Sequence, residues 1–230
     1  MAILRTSKVD LHANGDGAYA YLIEPDDDAL HPGVVLIQEW WGIDAHVQDL
    51  AHKLGAAGFV VAIPDLYHGK IATEPNDAMR TMMLVRGNVD KAANEIIGAL
   101  DSVKNLPHVD PKRLGLIGFC LGGFMTYTVA SRYADLGAII AFYGAGYDPT
   151  PEEVAAVNAP VLAVYGSQDQ SIPAAQIQKI EQLYKDAGKD ITVKIYDAGH
   201  AFLNPMHGMG DEKSAAEAWP LAVSFLKDHL

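Results

Sequence analysis

A single cysteine, Cys120, stands in 230 residues, so no internal disulfide can form and the fold must rest on its core. Cationic side chains are scarce as well: 17 Lys and Arg oppose 29 Asp and Glu, for a formal charge of −12. That excludes the basic face which nucleic-acid binding needs to release counterions. No apolar run reaches the roughly 18 residues of a membrane span. The first ten residues lack a basic segment followed by a long apolar one, so no secretion signal or anchor is expected and the cytoplasm is the expected location. Pro/Ser-rich linkers, charge blocks and internal repeats are missing too, and one domain over residues 1–230 is expected. None of the nine histidines falls in a ligand spacing such as His-x-x-x-His, so neither a metal site nor a cofactor is expected. The expected partner is a small molecule, and the expected assembly a monomer or weak homo-oligomer.

What is plentiful is apolar. Half of the residues are hydrophobic, enough for one large core, and strand patterns alternate with helix patterns along the chain. This reads as an α/β fold with a mostly parallel, doubly wound sheet. Residues 11–23, with Asn14-Gly15-Asp16-Gly17 inside them, read as an antiparallel hairpin that opens the sheet. Residues 33–38 and 59–64 are buried strands, with a helix over 46–57 between them closed by Gly58. Residues 76–106 are helical in pattern, broken near Gly87-Asn88. Strands follow over 136–143, 159–166 and 191–196, the last alternating as an outer strand does, with helices over 173–185 and 211–230. The polar excursion over 148–157 is too small for a substantial lid.

Between residues 113 and 125 a buried strand pattern passes through Gly118-Phe119-Cys120-Leu121-Gly122-Gly123 straight into a helix pattern. A side chain held on so sharp a turn needs small residues two positions either side of it, and glycine stands at both. This is a nucleophile elbow with cysteine where serine is usual. The helix that opens there brings N–H groups and a dipole that favour an anionic sulfur or oxyanion. Taken alone, the stretch also fits a glycine-rich turn with a buried structural cysteine.

Two later positions decide between those readings. Asp169 lies three residues past Gly166 at a strand end, and His200 follows the last strand. Nucleophile, acid and base in that chain order, each just past a strand's C-terminal end, read as a catalytic triad. Glu39, after the strand 33–38 and beside Trp40 and Trp41, is expected in low dielectric, where a carboxyl can hold or exchange a proton with a nearby thiol. The N–H of Trp40 and that of Leu121 are the expected oxyanion donors. For a substrate carboxylate, Arg80 and Arg86 are the available forks; six residues place them apart in azimuth on one helix, and Arg80 is favoured. Tyr143 is placed to reach the pocket, and His68 to line its rim.

Gln38-Glu39, Gly118-Phe-Cys-Leu-Gly-Gly123, Gly166-Ser-Gln-Asp169 and Ala198-Gly-His200-Ala-Phe together resemble the dienelactone hydrolase family of α/β-hydrolases over nearly the whole chain. Cysteine at the elbow with glutamate after the strand is specific to that family; the elbow glycines and triad order are shared by α/β-hydrolases generally. The resemblance implies Cys120 as nucleophile, His200 as base, Asp169 as its orienter, and Glu39 as the thiol's proton partner. It implies a cofactor-independent hydrolase of lactones or activated esters, with dienelactone as one candidate substrate. Trp41, Arg80, Tyr143, Phe202 and Asn204 make up the expected substrate-binding set. The chain departs from the family's dienelactone-cleaving members at Asn204-Pro205, where they place a carboxylate-binding arginine four residues after the histidine, and at Met83, where they have a tyrosine. A catalytically idle fold that binds a ligand is the competing reading.

Overall fold

The structure is a computed structural model that describes residues 3–13 and 17–230. Its centre is an eight-stranded sheet in the order β1-β2-β4-β3-β5-β6-β7-β8. The strands are β1 (Leu4–Asp10), β2 (Tyr19–Pro25), β3 (His31–Ile37), β4 (Val60–Pro64), β5 (Val109–Phe119), β6 (Ala138–Phe142), β7 (Val161–Gly166) and β8 (Ile191–Tyr196). β1 pairs antiparallel with β2 and β2 antiparallel with β4, while the pairs from β4 through β3 to β8 are parallel.

Helices cover both faces of the sheet, so β4, β6 and β7 are buried at every position and β5 is buried from Leu114 onward. β8 is an edge strand and alternates, as its sequence predicts. The hairpin forms, but its first arm is Leu4–Asp10, ahead of the expected start at Leu11. That arm is an exposed, polar edge strand with little burial pattern to mark it. Its expected turn residues Asn14, Gly15 and Asp16 lie outside the described residues.

The helices are α1 (Ala45–Ala56), α2 (Pro75–Arg86), α3 (Val89–Lys104), α4 (Leu121–Ala130), α5 (Pro151–Ala156), α6 (Ala174–Asp186) and α7 (Glu212–His229). Their ends follow local chemistry. Asp44 caps α1 by accepting from the Val47 N–H at 3.0 Å. α2 and α3 separate at Gly87-Asn88, where the Asn88 side chain caps α3 from the Lys91 N–H. The excursion after β6 is the short α5, held by a capping box between Thr150 and Glu153.

Topology then gathers the chemistry. β3 and β5 are neighbours, with Ile37 opposite Gly118, so the loop after β3 runs beside the elbow after β5. The loops after β6, β7 and β8 open at the same edge, because parallel strands share one C-terminal end.

Candidate active site

Cys120 sits between β5 and α4 at φ +54° and ψ −110°, a region that side-chain-bearing residues rarely adopt. Such strain is worth about 1–3 kcal/mol and persists only where surroundings enforce it. The surroundings here are backbone. A Cβ added at Gly118 would lie 2.2 Å from the Gly122 carbonyl oxygen, and one at Gly122 would lie 2.4 Å from that of Ile37. The Cys120 N–H donates to the Phe142 carbonyl at 3.0 Å, tying the turn to β6.

From the sulfur a chain of hydrogen bonds runs inward. Cys120 Sγ lies 3.1 Å from His200 Nε2, and His200 Nδ1 lies 2.6 Å from Asp169 Oδ2. Burial pulls the His200 imidazole down, but its bonds to Asp169 and Cys120 outweigh that and hold it up at about 10. Burial pushes Asp169 up, but its bonds to His200 and Ser171 leave it below the usual carboxylate range. Ser171 is a participant that the sequence reading missed. Its N–H and hydroxyl donate to Asp169 Oδ1 at 2.8 and 2.5 Å, and the hydroxyl is 3.2 Å from His200 Nδ1. Asp-x-Ser after a strand is the available signal, since an Asx-turn binds the N–H two residues on.

Glu39 is 1% exposed and lies at the base of the site. Its Oε1 accepts from the Tyr143 hydroxyl at 3.1 Å and its Oε2 from the Asn204 amide at 2.6 Å. Burial pushes the carboxyl up to about 7, against the opposing pull of those two bonds. The sulfur's hydrogen bond goes to His200, and Glu39 is engaged by Tyr143 and Asn204. The Trp40 carbonyl accepts from the Tyr67 hydroxyl at 2.9 Å, which fixes the loop carrying the Trp40 N–H.

A cleft of about 700 Å³ opens above Cys120, with Trp40, Leu121, Asp169 and His200 on its floor. Of the five expected substrate-binding residues, none lines it. Tyr143 and Phe202 are fully buried and pack edge to face at 5.6 Å, behind the site. Asn204 is consumed by Glu39. Trp41 turns away and stacks on His207 at 3.9 Å between ring centroids. Arg80 points to solvent and pairs with Asp77, the residue one turn before it. The arginine in the cleft is Arg86, which donates to the Ala145 carbonyl and stacks over the Phe124 ring at 4.4 Å. His68 pairs with the buried Glu95 at 3.2 Å and lines a separate cavity.

The matching family profile is that of the dienelactone hydrolases, over residues 18–230. The chain belongs to the dienelactone hydrolase family. A protein named usf from Aquifex pyrophilus is 30% identical over 229 residues, covering 96% of this chain and 98% of its own. An Aquifex aeolicus protein named "Putative carboxymethylenebutenolidase" is 29% identical over 231 residues, with the same coverage. Among solved structures, a dienelactone hydrolase-like promiscuous phosphotriesterase from metagenomic libraries aligns at a TM-score of 0.91 and 22% identity, covering 100% of this chain and 99% of that one. The fold is accordingly the α/β-hydrolase fold. As a family member the chain is a dienelactone hydrolase-like hydrolase. No described helix is long and apolar enough to cross a membrane. Among the described residues no group of three or more His, Cys, Asp and Glu is arranged to hold a metal ion.

Proposed function

We propose that the protein hydrolyses uncharged esters and lactones through a cysteine acyl-enzyme. The observation that carries this is the continuous chain from Asp169 through His200 to Cys120 on the floor of an open cleft. His200 Nε2 takes the thiol proton as Cys120 Sγ attacks the ester carbonyl carbon, and the carbonyl π pair moves to oxygen, where the N–H groups of Leu121 and Trp40 receive it. The intermediate collapses and the C–O bond to the alcohol breaks. His200 Nε2 gives the departing oxygen its proton, then takes one from water as the water attacks the thioester. As the C–S bond breaks, that proton passes from His200 to sulfur, so release of the carboxylic acid restores the thiol. Asp169 and Ser171 keep the imidazole aimed throughout. Glu39 supports the loops on either side through Tyr143 and Asn204.

The preference for uncharged substrates rests on the cleft. Arg86 is its one arginine, already engaged by a carbonyl and a ring, and Asn204, at the sequence position where the family's dienelactone-cleaving members carry an arginine, is buried against Glu39. A hydrogen bond to a charged group is worth about 1.5–3 kcal/mol, one to two decades in preference.

Turnover of p-nitrophenyl butyrate by the parent and by Cys120→Ala tests the nucleophile. Loss of on the order of 10²-fold or more is expected, with mass spectrometry placing the acyl group on Cys120 in the parent. Full activity in the variant overturns the assignment. Parent protein that binds the ester without turnover establishes the idle-fold reading instead.

A further inference from the structure

α2 presents two faces, and its composition sorts cleanly between them. Ala78, Thr81 and Val85, spaced three and four apart, are its buried residues and hold it to the body of the protein. Met79, Met82, Met83 and Arg86, with the same spacing on the adjoining face, all line the cleft above Cys120. Met209, from the loop after β8, lines it as well. Met79, Met83 and Met209 remain 46%, 56% and 36% exposed. Four methionines around one cleft form a surface with no committed shape, because an unbranched thioether with three rotatable bonds adapts to what lies against it. Arg86 closes the row with its guanidinium held against Ala145 and Phe124.

We propose that this methionine wall binds a flexible apolar chain on the substrate ester, several methylenes long, laid along α2 and away from Cys120. The inference rests on the cysteine-hydrolase reading above and names the substrate class for that site. A straight alkyl chain carries no group that Arg86 must pair, and it covers apolar surface that is otherwise wet. Each buried methylene is worth about 0.8 kcal/mol, close to a fourfold gain in kcat/KM. The cleft is open and its methionines are half-exposed, so burial per methylene is partial and the gain over six methylenes is expected to be about tenfold or more.

Two substrate series separate the sources of such a chain. p-Nitrophenyl esters from acetate to decanoate vary the acyl side, and acetates of methanol through octanol vary the alcohol side. A rise of about tenfold in kcat/KM in one series supports the proposal and assigns the chain to that side. Flat or falling profiles in both overturn it. The double variant Met79→Gln, Met83→Gln alters two exposed positions and keeps the buried face of α2 intact. It is expected to cut the ratio of octanoate to acetate turnover at least threefold, whereas Leu84→Gln, exposed on the same helix but outside the cleft, keeps the parent ratio. An unchanged ratio in the double variant also overturns the proposal. Mass spectrometry of Cys120 in the same reactions tells the two levels apart. An acyl adduct on Cys120 with flat profiles removes the chain assignment alone. No adduct and no turnover with any ester removes the hydrolase reading together with it.

Discussion

Glu39 pays for its place in free energy, and that makes it testable. Its folded value of about 7 stands above the ordinary 4.5, so the folded protein holds this proton more tightly than the unfolded chain does. Its contribution is therefore fully present below the ordinary carboxylate range and is lost as pH rises to about 7. Glu39→Gln removes that titration. Relative to the variant, the parent is expected to lose about 3 kcal/mol of stability between pH 4.5 and 7, with no further divergence above. Denaturant unfolding of both proteins across that range checks it, and parallel curves assign no shift to Glu39. The residue itself was legible from an apolar run ending beside two indoles. Its partners were not, since Asn204 lies 165 positions away and nothing local links an amide to a carboxyl across that distance. Ser171 escaped notice for a different reason: a serine two residues past an aspartate is an ordinary turn, and only the approach of His200 makes it part of the site.

At the level of elements, the site is a clasp between two loops. The loop from Glu39 to Asp44 carries the Trp40 N–H, and the loop from His200 to Asp211 carries the proposed base, His200. They meet at Glu39 with Asn204, at Trp41 stacked on His207, and at Asp44 Oδ2, 3.0 Å from His207 Nε2. Asp44 meanwhile caps α1 with its other oxygen, so the clasp is anchored on a helix. His207, which does not line the cleft, is thus expected to act by positioning. His207→Ala is expected to lower kcat by about tenfold or more while changing KM far less, because misplacing the Trp40 N–H and His200, the proposed oxyanion donor and base, harms the transition state more than ground-state binding. His207→Phe keeps a ring on Trp41 and is expected to recover part of the loss. A rise in KM at unchanged kcat would place His207 in substrate binding instead. The sequence made elements legible wherever burial was uniform, as in β4, β6 and β7, and least where a strand is polar, as in β1 and the first residues of β5. It located the break between α2 and α3 at Gly87-Asn88, but the helical faces depend on which neighbour each covers. Arg80 and Arg86 were separable in azimuth from spacing alone. Which one meets the cleft is settled by Ala78, Thr81 and Val85 docking inward.

Over the whole molecule, the residues legible in advance were those that topology alone collects: Glu39, Cys120, Asp169 and His200 all follow parallel strands and so share one edge of the sheet. Trp41, Phe202 and Tyr143 also lie just past strands, but they point behind the site, because side-chain direction on a loop follows packing that no spacing encodes. One global property does act on every substrate. With 29 acidic against 17 basic residues, the protein carries a formal charge of −12 and repels anions before they reach the cleft. For a chain of this size, Coulomb's law with Debye screening makes that repulsion weaker by roughly 0.6 kcal/mol at 0.1 M salt than at 0.01 M. A carboxylate-bearing lactone should therefore gain about threefold in kcat/KM over that range, while its methyl ester stays level. Arg86 opposes this trend locally, since salt also screens its attraction for the carboxylate. Measuring both substrates at both ionic strengths resolves the competition. A gain with salt means that the global field governs access and the arginine is committed to Ala145 and Phe124. A loss with salt, abolished by Arg86→Gln, means that the guanidinium leaves those partners to hold the substrate, and the preference for uncharged esters then falls.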